Sequence, residues 1–334
     1  MNILITGVAG LIGSRLADYF AEQNDTTIIG IDDLSGGYIE NINDKVVFYC
    51  LDLSKDDINH VFLEHKIDVV YHFACYAAEG LSPFMRRFNY QNNILSTVNI
   101  INACINHKVK RLVYASSMSV YGHGKKNGEI FDETDPLAPI DPYGISKMAC
   151  ELDIKVAGEQ HGLDWVIVRP HNVFGLKQNI WDKYRNVLGI WMFQIMNNEP
   201  MLIYGDGEQT RAFTYIDNIL PCLAMCGFDE KVSHEIINLG GTKMYTINEA
   251  CNILSKITGY DKVVHMEPRH EVKFAVPTYQ KSIDLLNYKE DISFEDGLKK
   301  MWEWAKQQPK RQRKVWDTYE VSDKLYEYWK YDKH

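Results

Sequence analysis

Long hydrophobic runs and an excess of basic residues are both missing from this 334-residue sequence. No apolar stretch approaches the roughly 20 residues of a membrane-spanning helix, and Met1 leads into a short strand pattern without a charged leader, so we expect a cytoplasmic protein that is not bound to a membrane. With 36 Lys and Arg against 45 Asp and Glu, the net charge is -9. This balance argues against nucleic-acid partners and anionic membranes, so any anionic ligand must be held by local groups.

Cysteine pairs and metal-ligand clusters are also missing. The seven cysteines are odd in number and scattered, without a C-x-x-C pair. Cys222 and Cys226 lie four residues apart on a predicted helix, but no histidine or second pair completes a ligand set. We therefore expect reduced thiols and no metal.

No Gly/Ser-rich or Pro-rich linker and no internal repeat divides the chain. Up to Pro170, short β-branched runs alternate with helical patterns, in NILIT, TTIIGID, KVVFYCLD, DVVYHFA, KRLVYASS and DWVIVRP. These runs lack the polar alternation of a half-exposed strand, which is typical of parallel strands covered by helices on both faces. We expect a doubly wound parallel α/β sheet over residues 1–170 and a smaller mixed α/β lobe over 171–334, with later segments in part returning to the sheet.

Two helical segments outside these strands are also predicted. Residues 83–107 have an apolar stripe, and residues 311–334 have the composition of an extra helix docked by aromatic side chains. The stripe consists of Phe88, Ile94, Leu95, Val98 and Ile101, and the aromatic residues are Trp316, Tyr319, Tyr326, Tyr328 and Trp329.

The stretch LITGVAGLIGSRLADYF places Gly7, Gly10 and Gly13 between a strand and a helix that begins near Leu11. In that arrangement, typical of the Rossmann fold, backbone N–H groups and the helix N-terminus receive a pyrophosphate. Alone, the spacing G-x-x-G-x-x-G serves plain packing equally well.

Acidic residues end the next two strands. Asp32 is placed to accept hydrogen bonds from ribose hydroxyls and to repel a 2′-phosphate, which favours NAD over NADP. The neighbouring Asp33 and a simple capping role for Asp32 stay open as alternatives. Asp52 either meets the adenine amino group or caps the following helix.

The motifs YASSMSVYG and DPYGISKMACE carry groups suited to proton transfer. Pro142 suits the first turn of a helix, which places Tyr143 and Lys147 at i and i+4 on one face. An ammonium beside a phenol lowers its pKa and makes it a usable base near neutral pH. A serine hydroxyl at the end of the preceding strand is placed to hold the reacting oxygen. Tyr-x-x-x-Lys alone is common, but together with the glycine turn and Asp32 it is a strong signal.

At this point the chain resembles the extended short-chain dehydrogenase/reductase family of sugar-nucleotide epimerases and dehydratases. Matching motifs along nearly the whole chain are TGVAGLIG, DVVYHFA, SSMSVYG, YGISK, RPHNVFG and GDGEQTRAFTYIDN. The resemblance implies bound NAD, a nucleotide-sugar substrate held by the C-terminal lobe, and a homodimer formed by the helices near residues 83–107 and 143–160.

The resemblance also implies roles for individual residues. The catalytic residues would be Ser117, Tyr143 and Lys147. The cofactor would be bound by Gly7, Gly10, Leu11, Ile12, Gly13, Asp32, Asp52, Leu53, Phe73, Ala74, Asn92, Tyr143, Lys147 and Pro170. The substrate would be bound by Ser117, Met118, Tyr143, Asn172, Arg211 and Arg269, although RHEVKFAV departs from the family's acidic-Gly pattern after Arg269.

The reaction implied is 4-epimerisation, most similar to that of the UDP-glucose 4-epimerases. Dehydratases and decarboxylases of the family carry an acidic residue where this chain has Met118 and Ser119, so both stay as less favoured alternatives. So do a 4-ketoreductase using NADPH, against which Asp32 argues, and a non-catalytic NAD-binding scaffold.

The sugar is left open at this stage, with UDP-glucuronate and UDP-N-acetylhexosamine as alternatives to UDP-glucose. Arg86, Arg87 and Arg185 are either surface charges or recognise a carboxylate. The small side chains of Ala275 and Val276 would admit an N-acetyl group.

Overall fold

The computed structural model describes residues 1–23, 25–124, 129–274 and 276–330. Its strands are β1 (Asn2–Thr6), β2 (Thr27–Asp32), β3 (Val46–Cys50), β4 (Val69–His72), β5 (Arg111–Ala115), β6 (Trp165–Pro170), β7 (Val173–Phe174), β8 (Met201–Tyr204), β9 (Thr210–Ala212), β10 (Thr214–Tyr215), β11 (Glu235–Leu239), β12 (Met244–Thr246) and β13 (Val263–Met266). Its helices are α1 (Leu11–Ala21), α2 (Asn59–His65), α3 (Arg86–Tyr90), α4 (Ser96–Asn106), α5 (Pro142–His161), α6 (Val187–Met196), α7 (Ile216–Cys226), α8 (Ile247–Thr258), α9 (Gln280–Leu286), α10 (Phe294–Ala305) and α11 (Glu327–Lys330).

Seven strands form one parallel sheet in the order β11-β6-β5-β4-β1-β2-β3. The six strands predicted from the sequence up to Pro170 all belong to it. The chain winds outward from β1 through β2 to β3 and then returns to β4 on the other side of β1. Ligands of such sheets bind at this switch point, beyond the carboxyl ends of the strands.

Helices cover both faces of the sheet, as the uninterrupted apolar strands predict. On one face, α1, α7 and α9 pack through side chains such as Phe20, Leu223 and Leu286. On the other, α2, α4 and α5 pack through side chains such as Phe62 and Ile154. Each fully buried apolar side chain of this size stabilises the fold by about 1.5–3 kcal/mol.

The C-terminal half builds a second core while also contributing to the first. Side chains of α6, α8 and α10, among them Trp191, Leu254 and Met301, pack against β8 and Phe213 in a separate apolar cluster. In contrast, β11, α7 and α9 belong to the large sheet and its cover. The predicted domain boundary at residue 170 stays a prediction. The segments β11, α7 and α9 are the later parts of the chain that were expected to return to the sheet.

The helix predicted over residues 83–107 is interrupted. A 3-10 turn (Ser82–Phe84) precedes α3, and a π-helical segment (Gln91–Leu95) joins α3 to α4. A π turn takes more residues than an α turn and shifts the phase of the next helical residues. The predicted stripe is therefore wrong at Leu95, which is 45% exposed, whereas Asn93, Ser96 and Ile100 are buried.

The C-terminal segment is docked by its aromatic residues, as predicted, but it is not one extra helix. In the described part, only the single turn α11 is helical after residue 310. Trp316 and Trp329 pack edge-on against Phe88 and Tyr184. A segment of alternating aromatic and charged residues can form either a helix or an extended chain. Here residues 311–326, called the C-terminal strap below, run as an extended chain because their aromatic side chains pack against other parts of the protein. Residues 331–334 lie outside the described residues.

Cys222 and Cys226 lie on α7 in the core against the sheet. Burial raises the pKa of both thiols, so they stay protonated. Within the described residues, no helix has both the length and the apolar character needed to cross a lipid bilayer.

Candidate active site at the carboxyl edge of the sheet

The carboxyl ends of the sheet strands open into a cavity of about 390 Å³. Its opposite wall comes from segments after β6, including Arg211, Ile247 and Arg269. All residues predicted to hold the cofactor line it, namely Gly7, Gly10, Leu11, Ile12, Gly13, Asp32, Asp52, Leu53, Phe73, Ala74, Asn92, Tyr143, Lys147 and Pro170. The residues predicted to hold the substrate line it too, with one exception. Met118 lines a smaller adjoining pocket of about 90 Å³.

The glycine turn shows why side chains are excluded there. Gly7 has a φ of +71° and donates its N–H to the carbonyl of Ile31 at 2.8 Å. A Cβ on Gly13 would lie 2.2 Å from the Gly7 carbonyl oxygen, and one on Gly7 would lie 2.8 Å from the Ala74 nitrogen. In the described part of the chain no side chain caps the first turn of α1. The backbone N–H groups of this turn therefore remain available at the cavity, where they are suited to bind a pyrophosphate.

Asp32 is fixed by backbone donors at the end of β2. Its carboxylate accepts hydrogen bonds from the N–H groups of Ala9 at 3.0 Å and Leu34 at 2.8 Å. It is buried, and burial raises its pKa despite these donors. Asp33 is exposed and caps its own turn through the N–H of Ser35. Of the two, Asp32 has the rigid, enclosed position that suits the recognition of ribose hydroxyls.

Further residues predicted to bind the cofactor follow β3 and β4 and line the same cavity. Asp52 accepts hydrogen bonds from the N–H and hydroxyl of Ser54, at 2.9 and 2.6 Å, so it caps its turn and lines the cavity at once. The N–H groups of Phe73 and Ala74 both donate to the Thr6 hydroxyl at 3.2 Å. Both alternatives for Asp52 are thus compatible with its position.

Ser117, Tyr143 and Lys147 lie together where the glycine turn meets the opposite wall. Asp141 caps α5 by accepting from the N–H of Gly144 at 2.8 Å, and Pro142 occupies the first turn. Tyr143 interacts with the Ser117 hydroxyl. The Lys147 ammonium donates to the carbonyl of Ala115 at 2.7 Å and lies 5.9 Å from the centroid of the Tyr143 ring.

The pKa of Tyr143 departs from the sequence-based prediction. Burial raises it well above its usual range, and nearby Cys75 and Glu79 add to the increase. Lys147 was expected to lower this pKa, but its ammonium is directed to the Ala115 carbonyl. The prediction that Lys147 lowers the pKa of Tyr143 is therefore wrong, because the buried phenolate would lose its hydration without gaining a close cation.

Two arginines converge at the other end of the cavity. Arg211 on β9 and Arg269, which follows β13, both reach one carboxylate oxygen of Glu271, at 3.2 and 3.5 Å. The Arg269 guanidinium also lies 4.5 Å from the centroid of the Tyr204 ring. Arg211 and Asn172 line the same space. Planar guanidinium groups placed side by side suit a diphosphate.

The three arginines left open by the sequence have different positions. Arg86 and Arg87 are exposed and do not line the cavity, whereas Arg185 does. Arg185 pairs with the buried carboxylate of Asp182 at 3.0 Å and lies against Gly36, beside the Asp32 end. Of the three, only Arg185 is placed to contact a ligand in the cavity, and it lies on the side that holds Asp32. Of the two residues considered for an N-acetyl group, Ala275 lies outside the described residues. Val276 does not line the cavity, and its carbonyl accepts a hydrogen bond from the N–H of Phe131 at 3.1 Å.

Two acidic residues of the cavity were not predicted from the sequence. Glu79 lies in the loop after β4, and Glu271 lies two residues beyond Arg269. A signal for Glu79 was present, since loops that follow parallel strands face the ligand edge. Glu271 had no comparable signal, because its partners are distant in sequence.

Comparison with known proteins agrees with this geometry. Residues 3–240 match the model of the NAD dependent epimerase/dehydratase family. The solved UDP-glucose 4-epimerase of Thermotoga maritima, with UDP-glucose, is 29% identical with a TM-score of 0.85, over 92% of this chain and 99% of that one. The UDP-N-acetylglucosamine 4-epimerase of Methanobrevibacter ruminantium is 30% identical with a TM-score of 0.83, over 91% and 97%.

A third solved relative acts on a charged sugar. The UDP-glucuronic acid 4-epimerase of Bacillus cereus, in complex with UDP-glucuronic acid and NAD, is 28% identical with a TM-score of 0.83, over 92% of this chain and 99% of that one. These three relatives are named for three different sugars, and this chain is about equally identical to each of them. The comparison therefore shows the family but does not identify the sugar. The match of residues 3–240 and these likenesses along nine-tenths of the sequence lead to one conclusion: this chain is an enzyme of the NAD dependent epimerase/dehydratase family.

Proposed function

We propose that this enzyme is an NAD-dependent 4-epimerase of an uncharged UDP-hexose, interconverting UDP-glucose and UDP-galactose. The observation that carries the proposal is that Tyr143 and Ser117 interact with each other and line one cavity together with the glycine turn and the arginine pair. A sugar whose diphosphate is held by Arg211 and Arg269 would present the far side of its ring to Tyr143. The reacting hydroxyl would then be the one at C4, across the ring from the anomeric carbon.

The cofactor end supports NAD as the partner in this reaction. The bare N-terminus of α1 would receive the pyrophosphate, and Asp32 would accept from the adenosine ribose hydroxyls. Lys147, on the same face of α5 as Tyr143, would bind the nicotinamide ribose. NAD, when bound, supplies the acceptor and donor of the C4 hydride.

The chain's own residues would manage the proton. Tyr143 takes the proton of the C4 hydroxyl during oxidation and returns it during reduction. Ser117 orients that oxygen. Because burial raises the pKa of Tyr143, this role requires additional positive charge near the phenol, which oxidised NAD would supply when bound.

Inversion at C4 requires the keto sugar to turn over between the two hydride steps. Arg211 and Arg269 would hold the diphosphate while the sugar rotates about that linkage. The ion pairs of both arginines with Glu271 suit this role, since they keep the two guanidinium groups at fixed positions. Nothing is consumed, so NAD stays bound through turnover.

Dehydration and decarboxylation are less well supported. The positions where family members with those activities carry an acid hold Met118 and Ser119. Met118 has no titratable group, and the Ser119 hydroxyl is buried without a hydrogen-bond partner in the described part of the chain.

An assay of three substrates tests the proposal. Purified enzyme is incubated with UDP-glucose, UDP-N-acetylglucosamine and UDP-glucuronate, and the products are identified by NMR. We expect the C4 epimer of an uncharged hexose, with deuterium placed at C4 retained and no net NADH. A 4-keto-6-deoxy product or release of carbon dioxide from UDP-glucuronate would overturn the proposal.

We also propose that the enzyme is a homodimer joined through α4 and α5. On α5, Ile145, Leu152 and Val156 share one face at helical spacing, and they are 37%, 53% and 43% exposed. Leu95, just before α4, is exposed as well. An apolar stripe of this kind on a surface helix is typical of a face that pairs with a second copy.

A further inference from the structure

Glu79 presents an unpaired carboxylate to the cavity. It lies in the loop after β4 and lines both the main cavity and the smaller pocket beside it. Among the residues that the structure describes, its carboxylate has no hydrogen-bond or ion-pair partner. The two arginines nearby differ in this respect, since both are paired with Glu271.

The backbone of Glu79 is tied to the catalytic helix. The Ser82 hydroxyl donates to the Glu79 carbonyl at 2.8 Å and accepts from the Tyr143 N–H at 3.1 Å. The loop therefore has a defined position relative to Tyr143. These bonds fix the backbone from which the Glu79 side chain extends into the cavity.

The charges around Glu79 place it beside the sugar. Its carboxylate interacts electrostatically with Arg211 and Arg269 at one end of the substrate site and with Tyr143 at the other. Asp141, at the start of α5, and Glu271 are the further acidic neighbours. In the proposed function the hexose spans the distance between Tyr143 and the arginines, so Glu79 flanks its ring.

A carboxylate beside the ring discriminates between sugars. It accepts hydrogen bonds from hydroxyl groups, and it repels a second carboxylate. In a uronate the charged group is on C5, adjacent to C4 and therefore near Tyr143. The arginines at this end already share Glu271 and would bind the diphosphate, which leaves neither of them to neutralise that charge.

We propose that Glu79 is a specificity-determining residue, which accepts a hydrogen bond from a hydroxyl of an uncharged hexose and excludes UDP-uronates by charge. The inference rests on the proposed function, and it adds the residue that selects the substrate class.

Two variants of Glu79 and one control variant test the inference by their ratio of kcat/KM for UDP-glucuronate to that for UDP-glucose. Glu79→Gln removes the charge and keeps the shape, and we expect the ratio to rise about tenfold or more. Glu79→Asp keeps the charge, so its ratio should stay within about twofold of the wild type. Glu22→Gln is the matched control, since Glu22 is exposed at the end of α1 and does not line the cavity.

UDP-N-acetylglucosamine separates charge from size. It is larger than UDP-glucose but uncharged, so Glu79→Gln should leave the ratio between these two substrates nearly unchanged. Thermal unfolding of each variant shows whether folding is intact.

The pH dependence gives a second readout. The Glu79 side chain is accessible from the cavity, and desolvation by the surrounding cavity walls raises its pKa to about 7, with Asp141 and Glu271 adding to the increase and Arg211 and Arg269 opposing it. Glu79 is then more protonated at pH 6 than at pH 8, so wild-type discrimination against UDP-glucuronate should weaken as the pH falls. Glu79→Gln should remove this dependence on pH, whereas Glu79→Asp should still show a dependence on pH.

The outcomes separate the inference from the proposed function. If the wild type epimerises a UDP-sugar but Glu79→Gln leaves the ratio unchanged, or lowers both activities equally, the inference is wrong and 4-epimerisation stands. A wild type that prefers UDP-glucuronate also overturns the inference. If no UDP-sugar is epimerised, the proposed function itself fails. A 4-keto-6-deoxy product in the wild type that disappears in Glu79→Gln would instead make Glu79 a general acid of dehydration.

Discussion

The two ends of the cavity are built from different parts of the chain. At the end that would bind the cofactor, called the cofactor end below, the groups that face the cavity are mostly backbone atoms of the Gly7–Gly13 turn. Asp32, whose carboxylate is fixed by two backbone N–H groups, lies there as well. At the end that would bind the sugar nucleotide, called the sugar end, the groups that face the cavity are side chains of Glu79, Arg211, Arg269 and Glu271, which come from loops and strands far apart in the sequence.

This difference separates a general function from a specific one. A turn that excludes side chains binds the pyrophosphate common to all dinucleotides, and few substitutions leave that turn intact. Side chains that meet across loops can be exchanged one at a time without changing the sheet. In the proposed function, the end with the glycine turn would therefore serve the chemistry that the family shares, whereas the end with Arg211 and Arg269 would select the substrate.

Tyr143 lies where the two ends meet, and its replacement should have the largest effect. Tyr143→Phe removes the acceptor of the C4 proton, so we expect kcat to fall about a thousandfold. Bound NAD, measured by absorbance and HPLC after denaturation, should be retained. Tyr90→Phe, at a position on α3 that does not line the cavity, is the control. A loss of less than about tenfold would show that another group takes the proton.

Arg211→Ala should affect the sugar end alone. Loss of one charged contact to a diphosphate costs about 1.5–3 kcal/mol, so we expect KM for UDP-glucose to rise roughly 10- to 150-fold with a smaller change in kcat. The KM of Arg211→Lys should lie between those of the wild type and Arg211→Ala, because an ammonium keeps the positive charge but cannot form two parallel hydrogen bonds to a phosphate. Isothermal titration with UDP measures the same loss. If the variant instead loses its NAD, the division between the two ends is wrong.

The sheet and the cofactor end could be predicted from the sequence because their signals are local. The apolar runs from NILIT to DWVIVRP correspond to β1 through β6, and α1, predicted to begin near Leu11, begins at that residue. Asp32, Tyr143 and Lys147 follow at fixed distances within single elements. Each of these patterns depends only on neighbours within a few residues, which a single sequence contains.

The features that could not be predicted depend on contacts between distant segments. The π-helical segment that turns Leu95 to solvent is packed around Asn93, which bonds to Tyr76 and Ser146. The C-terminal strap takes its path from Phe88 and Tyr184, more than 130 residues away. The raised pKa of Tyr143 also has a tertiary cause, since it depends on burial and on Cys75 and Glu79, which lie in the loop after β4.

Asp32→Ala should affect the cofactor end alone and by less than the preceding changes. Removing the carboxylate removes both the acceptor for the ribose hydroxyls and the charge that repels a 2′-phosphate. We expect the ratio of affinities for NAD and NADP to fall about tenfold to hundredfold, because like-charge contacts cost several kcal/mol when close. Asp33→Ala is the matched control, since Asp33 is exposed and bonds only within its own turn among the described residues. An equal shift in both variants would show that the whole loop, rather than Asp32, sets the preference.

The smallest effect on catalysis should come from a change outside both ends. Leu152 is 53% exposed in the middle of the apolar stripe on α5, and Leu152→Glu would place a charge in the proposed dimer face, where burying it without a partner is costly. We expect the wild type to sediment as a dimer at micromolar concentration and the variant as a monomer. Leu63→Glu is the control, since Leu63 on α2 is 67% exposed and lies outside the stripe. Because each copy contains all the cavity residues described, NAD content and the preference among UDP-sugars should be unchanged in the monomer. A monomeric wild type would disprove the dimer, and a monomeric variant with altered sugar preference would show that the second copy shapes the sugar end.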